Sequence, residues 1–264
     1  MKKFIRYIEN IAINIMVEEE FFEKNRRILN IILRLYSEVP RENMILDREF
    51  NYYIYQRDYE EYSINDAWIF LLIKRIEEFY EEILKCTTIH GACVNVGNKN
   101  YLIIGERYSG KTMLTQYLTI KKNGKYVDDD CIYLYNNKYI GSGMPLLIRD
   151  NRKADYEKYF VAHTIDTDGV ERNIYSPLIY LDNVKKVDIV IFPKYGEGNM
   201  PYIGKLSQTE SFDGLLRNIH KYYSRQILFR NIKYLVKAAA CYCINYSSSE
   251  MAYDLLEQER LIIE

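Results

Sequence analysis

The chain has 264 residues, 48% of them apolar, enough to bury a large core as one compact domain or as one domain with a small appendage. Its net charge is −1 and no Lys/Arg run exceeds two residues, as at Lys121-Lys122 and Lys185-Lys186, which argues against a nucleic-acid partner. No eighteen-residue apolar stretch occurs, Arg6 and Glu9 interrupt the basic start, and the cysteines are an odd five; a membrane span, a secretory signal and a disulfide scaffold are therefore not expected, and the cytoplasm is.

In chain order, alternation predicts a strand over 10–17, and the spacing of Phe21, Ile28, Ile31, Ile32 and Leu35 predicts a helix over 19–37. A Tyr-rich strand is expected over 50–56. Asn65-Asp66 reads as the cap of a helix running to Leu84, its apolar face formed by Trp68, Leu71, Leu72, Ile76 and Tyr80. Strands follow over 89–96 and 101–104, separated by a turn at Gly97-Asn98. A helix opens at Met113, a turn falls at Asn123-Gly124, and 132–135 with 138–140 forms a hairpin around Asn136-Asn137. The apolar run 187–192 reads as a central strand. Helices are expected over 212–223, 231–239 and 250–260, with a strand over 240–246. In that strand Cys241 and Cys243 share one face as small buried hydrophobes, because His90, His163 and His220 are too scattered to complete a metal site with them.

The most informative segment is Gly105-Glu106-Arg107-Tyr108-Ser109-Gly110-Lys111-Thr112, a complete Walker A box between the buried-strand pattern ending at Ile104 and the helix pattern opening at Met113. Such a loop closes backbone N–H groups around phosphate oxygens. Its lysine reaches the β- and γ-phosphates, its Thr hydroxyl sits on Mg²⁺, and the helix dipole at Met113 faces the same anion. Seventeen residues after Lys111 come Asp128-Asp129-Asp130. Carboxylates there can hold Mg²⁺ or accept a proton from an attacking hydroxyl. Adjacent ones on an extended chain point to opposite sides, so the two tasks divide between two residues.

His90-Gly91-Ala92, the Walker A box and Val127-Asp128-Asp129-Asp130, in this order and spacing, resemble the HPr serine kinase/phosphorylase C-terminal family, which includes kinases acting on a serine of lasso-peptide precursors. Weaker similarities continue at Gly143-Met144-Pro145 before Arg149, at Asn173-Ile174-Tyr175-Ser176-Pro177, at 187–193, and at the strand and helix that close the chain. The resemblance covers about residues 88–260. It implies an α/β fold: a P-loop, HPr-kinase-like core of mixed sheet with flanking helices over 85–264, preceded by a small N-terminal α/β segment over 1–84. That segment carries no phosphate chemistry, so it is expected to pack on the core, where it either helps to shape the acceptor site or serves as structural scaffolding.

The resemblance further implies ATP and Mg²⁺ as cofactors, with Gly105 through Met113 binding nucleotide and Thr112 and Asp130 holding the metal. Asp129 would take the acceptor proton, Lys111 would neutralise phosphate charge, and His90 would tune Asp129 or touch the γ-phosphate. Asp128 stands where the family carries a small residue, so Asp128→Ala is expected to be mild. Arg107-Tyr108 replaces the family's Ser-Gly, and no Arg-Gly-Leu-Gly-Ile-like stretch follows the Asp pair, which points away from HPr as substrate. The expected function is a Mg-ATP-dependent kinase acting on a hydroxyl, with the serine of a small ribosomally made peptide as acceptor. A small-molecule kinase and a catalytically reduced nucleotide-binding accessory protein are the alternatives. A homo-oligomer is compatible with the sequence; nucleic-acid and membrane partners are not expected.

Overall fold

The computed structural model describes residues 1–37, 44–62, 66–149, 157–176, 179–198 and 200–262; Asn65 and Pro177, singled out above, lie outside them. Packing divides the chain into two units, Met1–Ile83 with Gly143–Ser176, and Leu84–Ser142 with Pro177–Glu264.

The first unit opens with a hairpin that the sequence reading missed in part. Strand β1 (Lys2–Ile8) pairs antiparallel with β2 (Ile11–Val17) around Glu9, whose φ is +53°. Strand β1 escaped notice because Arg6 breaks its polarity pattern; Arg6 is buried, and its Nη1 donates to the Tyr80 hydroxyl at 2.8 Å. The helix expected over 19–37 is instead two short helices, α1 (Glu19–Lys24) and α2 (Arg26–Ile32). Asn25 divides them by leaving helical backbone angles and donating its side-chain amide to the Phe21 carbonyl at 3.0 Å. Beyond α2 the chain turns over 33–35, and Ser37 then pairs with Ile5. Strand β3 (Arg48–Ile54) lies parallel to β2 and stops two residues short of the expected end, where Gln56 begins a 3₁₀ turn. Helix α3 (Ala67–Leu84) buries Trp68, Leu72, Ile76 and Tyr80 as expected, while Leu71 is only half-buried and Ile69 and Ile73 complete the stripe.

The second unit begins with β4 (Thr87–Val96) and β5 (Lys99–Ile104), joined at the expected Gly97-Asn98 turn. Helix α4 (Lys111–Gln116) continues through a π-helical turn to Lys121. Strands β6 (Lys125–Asp128), β7 (Cys131–Tyr135) and β8 (Lys138–Gly141) follow. Asn136 and Asn137, with φ of +47° and +59°, turn the β7–β8 hairpin in the left-handed conformation that a two-residue connection needs.

Residues 143–176 belong to the first unit and form a separate antiparallel sheet that the sequence reading did not anticipate: β9 (Leu146–Arg149), β10 (Phe160–Ile165) and β11 (Glu171–Tyr175), in the order β10-β11-β9.

The remaining elements complete the second unit: β12 (Asn183–Val184), β13 (Ile189–Tyr195), β14 (Tyr202–Lys205), α5 (Gln208–Arg217), β15 (Ile219–Lys221), α6 (Arg225–Ala238), β16 (Ala240–Tyr246) and α7 (Ser249–Gln258). The helix expected over 212–223 is corrected at both ends. A capping box between Ser207 and Glu210 starts α5 earlier, and the chain becomes the strand β15 after Asn218. Helix α6 likewise starts six residues before the expected 231, because the Ser224 hydroxyl accepts from the Ile227 N–H. All five cysteines are free thiols.

These strands form a ten-stranded mixed sheet in the order β12-β8-β7-β4-β5-β13-β16-β14, with β6 and β15 also paired to β4. Strand β13 runs parallel to both β5 and β16, the central position its apolar run predicts. Alternation splits the core into two layers. Leu102, Ile104, Val190 and Cys241 face Leu215, Leu228, Ile232 and Leu235 of α5 and α6, whereas Tyr101, Ile103, Ile191 and Ile244 face Leu114, Leu118, Ala252 and Leu256 of α4, its extension and α7. The second unit is thus an α/β layer structure with helices on both faces of a mixed sheet. No helix among the described residues is long and apolar enough to cross a membrane.

Candidate functional site

Strand β4 changes partners on both edges at one level, and that level locates the site. On one edge, β5 ends with Ile104 opposite Gly91, and β15 takes over with Ile219 opposite Ile89; between them the His90 N–H donates to the Asn218 carbonyl at 2.9 Å. On the other edge, β6 ends with Asp128 opposite Cys93, and β7 begins with Cys131 opposite His90. Two loops therefore leave the sheet beside His90-Gly91. The phosphate loop leaves after β5, and the bulge Asp128-Asp129-Asp130 bridges β6 and β7, held by a 3.2 Å bond from the Gly91 N–H to the Asp130 carbonyl.

The phosphate loop is pinned by two tyrosines absent from the sequence-based site. The Tyr195 N–H donates to the Ser109 carbonyl at 2.9 Å, and the Tyr246 hydroxyl donates to the Gly110 carbonyl, also at 2.9 Å. Gly110 has φ +98°, and a Cβ there would stand 2.3 Å from the Tyr246 hydroxyl oxygen, so no other residue fits. Helix α4 starts at Lys111 with no side-chain cap, leaving the first-turn N–H groups of Lys111, Thr112 and Met113 without helical partners at the loop's concavity. The Lys111 ammonium is folded onto the loop, donating to the carbonyls of Gly105 at 2.6 Å and Glu106 at 3.0 Å. Burial pulls its pKa below the ordinary lysine value, against the opposing pull of Asp129, Asp130 and Glu106. Tyr108 at the loop tip is 74% exposed with φ +68°, and Arg107 neighbours it there.

The three carboxylates of the bulge have three different surroundings. Asp128 is buried and its hydrogen-bonding capacity is used by the fold. Its Oδ1 accepts from the N–H groups of Asp129 at 2.7 Å and Asp130 at 3.4 Å, and its Oδ2 accepts from the N–H of Ser142 at 2.6 Å and the Ser142 hydroxyl at 2.5 Å. This makes Asp128 the brace of the bulge, and the expectation that Asp128→Ala is mild gives way to an expected loss of stability. The chain beside it is close-packed, since a Cβ on Gly141 would lie 2.2 Å from the Val127 carbonyl oxygen.

Asp129 is buried next to the phosphate loop. The Thr112 hydroxyl donates to its carboxyl, and its Oδ1 has no hydrogen-bond partner among the described residues. Burial pushes its pKa from 3.8 up to about 8; Asp130 and Asp128 add to the rise, while Thr112 and the Lys111 charge oppose it. Asp130 is the most exposed of the three, and its Oδ1 lies 3.3 Å from Nε2 of His90. His90 thus faces Asp130, whereas the resemblance aimed it at Asp129 or at the γ-phosphate.

Of the residues singled out from sequence, Lys111, Thr112, Asp129, Asp130 and His90 are brought together at this one level of the sheet. Ser142, Tyr195 and Tyr246 were missed. Ser142 was legible only as the residue after a hairpin-ending glycine, and the two tyrosines as strand ends that could belong to any sheet.

No protein-family model and no curated protein matches the sequence. Among solved structures, the chain is similar to the HPr(Ser) kinase/phosphatase from Coxiella burnetii, at 15% identity and a TM-score of 0.33, covering 66% of this chain and 90% of that one.

Proposed function

We propose that the protein is a Mg-ATP-dependent phosphotransferase that places a γ-phosphoryl group on a hydroxyl, the acceptor being a serine of a small ribosomally made peptide. The observation that carries this reading is a buried carboxyl, Asp129, that accepts a hydrogen bond from the phosphate-loop Thr112 and keeps its second oxygen unpartnered among the described residues. A buried polar atom without a partner costs free energy of about 1–3 kcal/mol, and such a cost is accepted where a ligand completes the site.

The residues fit a triphosphate and its metal. The uncapped helix start at Gly110-Lys111, reached through the left-handed Gly110, offers backbone N–H groups to a bound anion. Lys111 can exchange the Gly105 and Glu106 carbonyls for phosphate oxygens, which restores the charge partner that burial denies it. Thr112 and Asp130 would hold the metal, with His90 fixing the orientation of Asp130. When bound, Mg-ATP supplies the transferable phosphoryl group and a cation that screens its charge. Asp129 would accept the proton the acceptor hydroxyl loses. A carboxyl whose pKa is about 8 is a stronger base than an ordinary one, and metal binding beside it favours the ionised form.

The test is transfer from γ-labelled ATP to an array of serine-containing peptides in the presence of Mg²⁺. Acid-stable label on serine that disappears in Asp129→Asn is the expected result. Label confined to ATP and free phosphate would contradict the proposal.

A further inference from the structure

Charge in this protein is unevenly placed. Between Asp213 and Glu250 there is no acidic residue and there are six basic ones, Arg217, Lys221, Arg225, Arg230, Lys233 and Lys237, so this stretch alone is +6 in a chain of net charge −1. Four of the six lie on α6. Its inner stripe, Leu228, Ile232, Leu235 and Val236, is buried against the sheet, and its outer face carries Arg225, Arg230, Lys233 and Lys237. None of these four forms an ion pair among the described residues, whereas Arg217 on α5 is neutralised by Asp213 at 2.7 Å.

The same face is unusually apolar for an exposed one. Phe229 is 47% exposed and stacks in parallel on Phe212 of α5, with ring centroids 6.0 Å apart, and Tyr234 is 55% exposed. Between the two helices lies a cavity of 280 Å³ lined by Phe212, Val236, Lys233 and Lys237 together with Gln208 and Thr209. An apolar hole rimmed by two ammonium groups suits a chain that offers an apolar side chain flanked by carboxylates.

This surface also leads to the candidate site. The segment entering α6 contains the edge strand β15 and the exposed Tyr222 and Tyr223, and it begins at Asn218, whose carbonyl accepts the His90 N–H. A peptide lying along α6 and β15 would therefore arrive at the level of β4 where the phosphate loop and the acidic bulge leave the sheet.

We infer that the outer face of α6, with its groove against α5, is the docking surface for an acidic segment of the peptide acceptor, separate from the hydroxyl that is phosphorylated. The inference rests on the phosphotransferase reading for the identity of its occupant and not for its chemistry. The probe is a fluorescent random copolymer of Glu and Tyr (4:1), whose binding is read by anisotropy at low and high salt. Wild type should bind it with an affinity that falls as salt rises. Arg230→Glu/Lys233→Glu/Lys237→Glu should weaken binding at least tenfold, and Lys233→Gln/Lys237→Gln should weaken it less. In both variants the melting temperature and its rise with Mg²⁺ and a nonhydrolysable ATP analogue should match wild type, because the substituted side chains are exposed and far in sequence from the phosphate loop. Absent copolymer binding, or equal binding by wild type and variants, would overturn the docking surface while leaving the nucleotide response to report separately on nucleotide binding. Tighter binding of a twenty-residue oligothymidylate than of the copolymer would overturn it in favour of a nucleic-acid surface.

Discussion

Two aspartates, one in each unit, show how the same buried side chain can be a structural fixture or a reactive one. Asp166 sits at the turn between β10 and β11. Burial pushes its carboxyl upward, but Arg172 (2.8 Å and 2.5 Å), the Val170 N–H (2.9 Å) and the Asp168 N–H (3.0 Å) overcome it and hold the group below the usual carboxylate range. Asp129 exposes as little surface but is enclosed far more deeply, receives one hydroxyl, and rises to about 8. The difference lies in how deeply the carboxyl is enclosed and in how many donors converge on it. A fully bonded carboxylate has no acceptor site left to offer a ligand, while an under-bonded one can still take a proton, a metal or a substrate. Asp128, one residue away, has a full set of donors like Asp166, yet it is wholly enclosed and burial still holds its carboxyl above the usual range.

Substitutions at these positions should separate sharply. The largest effect is expected from Asp129→Asn, which keeps shape and loses basicity: transfer should fall by roughly 10²–10⁴ with nucleotide affinity nearly intact. Asp166→Asn should leave transfer unchanged, and a drop there would erase the distinction. Asp130→Asn should weaken both Mg²⁺-dependent nucleotide binding and turnover, by about 10–100-fold, measurable as a metal titration at fixed nucleotide.

Next come the structural losses. Asp128→Ala strands the N–H groups of Asp129 and Ser142, and Asp166→Ala strands Arg172 and the turn N–H groups. Each should cost about 1–3 kcal/mol by denaturant unfolding. A mild Asp128→Ala would return that residue to the replaceable position that the resemblance implies.

Within any one pH unit the effect is smaller still, a slope of opposite sign for the two aspartates. The folded Asp129 keeps its proton up to about pH 8, whereas the unfolded chain releases it near 3.8, so the folded state binds more protons in that window. Its contribution to stability is greatest below pH 4 and is lost as pH rises toward 8, by at most about 1.4 kcal/mol per pH unit. Asp129→Asn should remove this slope and make the protein more stable than wild type at pH 8. Asp166, depressed below its ordinary value, contributes stability above the ordinary carboxylate range and loses it as pH falls through its folded pKa. Equal slopes in wild type and Asp129→Asn would show that Asp129 is solvated in solution.

The parts of the molecule legible in sequence were those with local signals. The phosphate loop, the central strand β13 and the Asn136-Asn137 hairpin announce themselves through glycine spacing, an unbroken apolar run and left-handed turn residues. What escaped were features decided at a distance. Strand β1 hides because Arg6 finds its partner Tyr80 seventy-four residues away. The β9-β10-β11 sheet hides because its strands alternate imperfectly, with a register shift between Phe160 and Ala162. The acidic bulge was legible as a cluster, but the division of labour within it was not. Only the contact with Ser142, fourteen residues on, makes Asp128 a brace, and only burial beside Thr112 sets Asp129 apart.

Phosphotransfer requires first that the loop between β5 and α4 hold a nucleotide. Thermal melting of wild type and Lys111→Ala, with and without Mg²⁺ and a nonhydrolysable ATP analogue, tests this without knowledge of the acceptor. At a hundredfold excess over the dissociation constant, wild type should gain about 2.7 kcal/mol and Lys111→Ala should lose most of that gain. A wild-type melting curve unmoved by millimolar Mg²⁺ and nucleotide would contradict it.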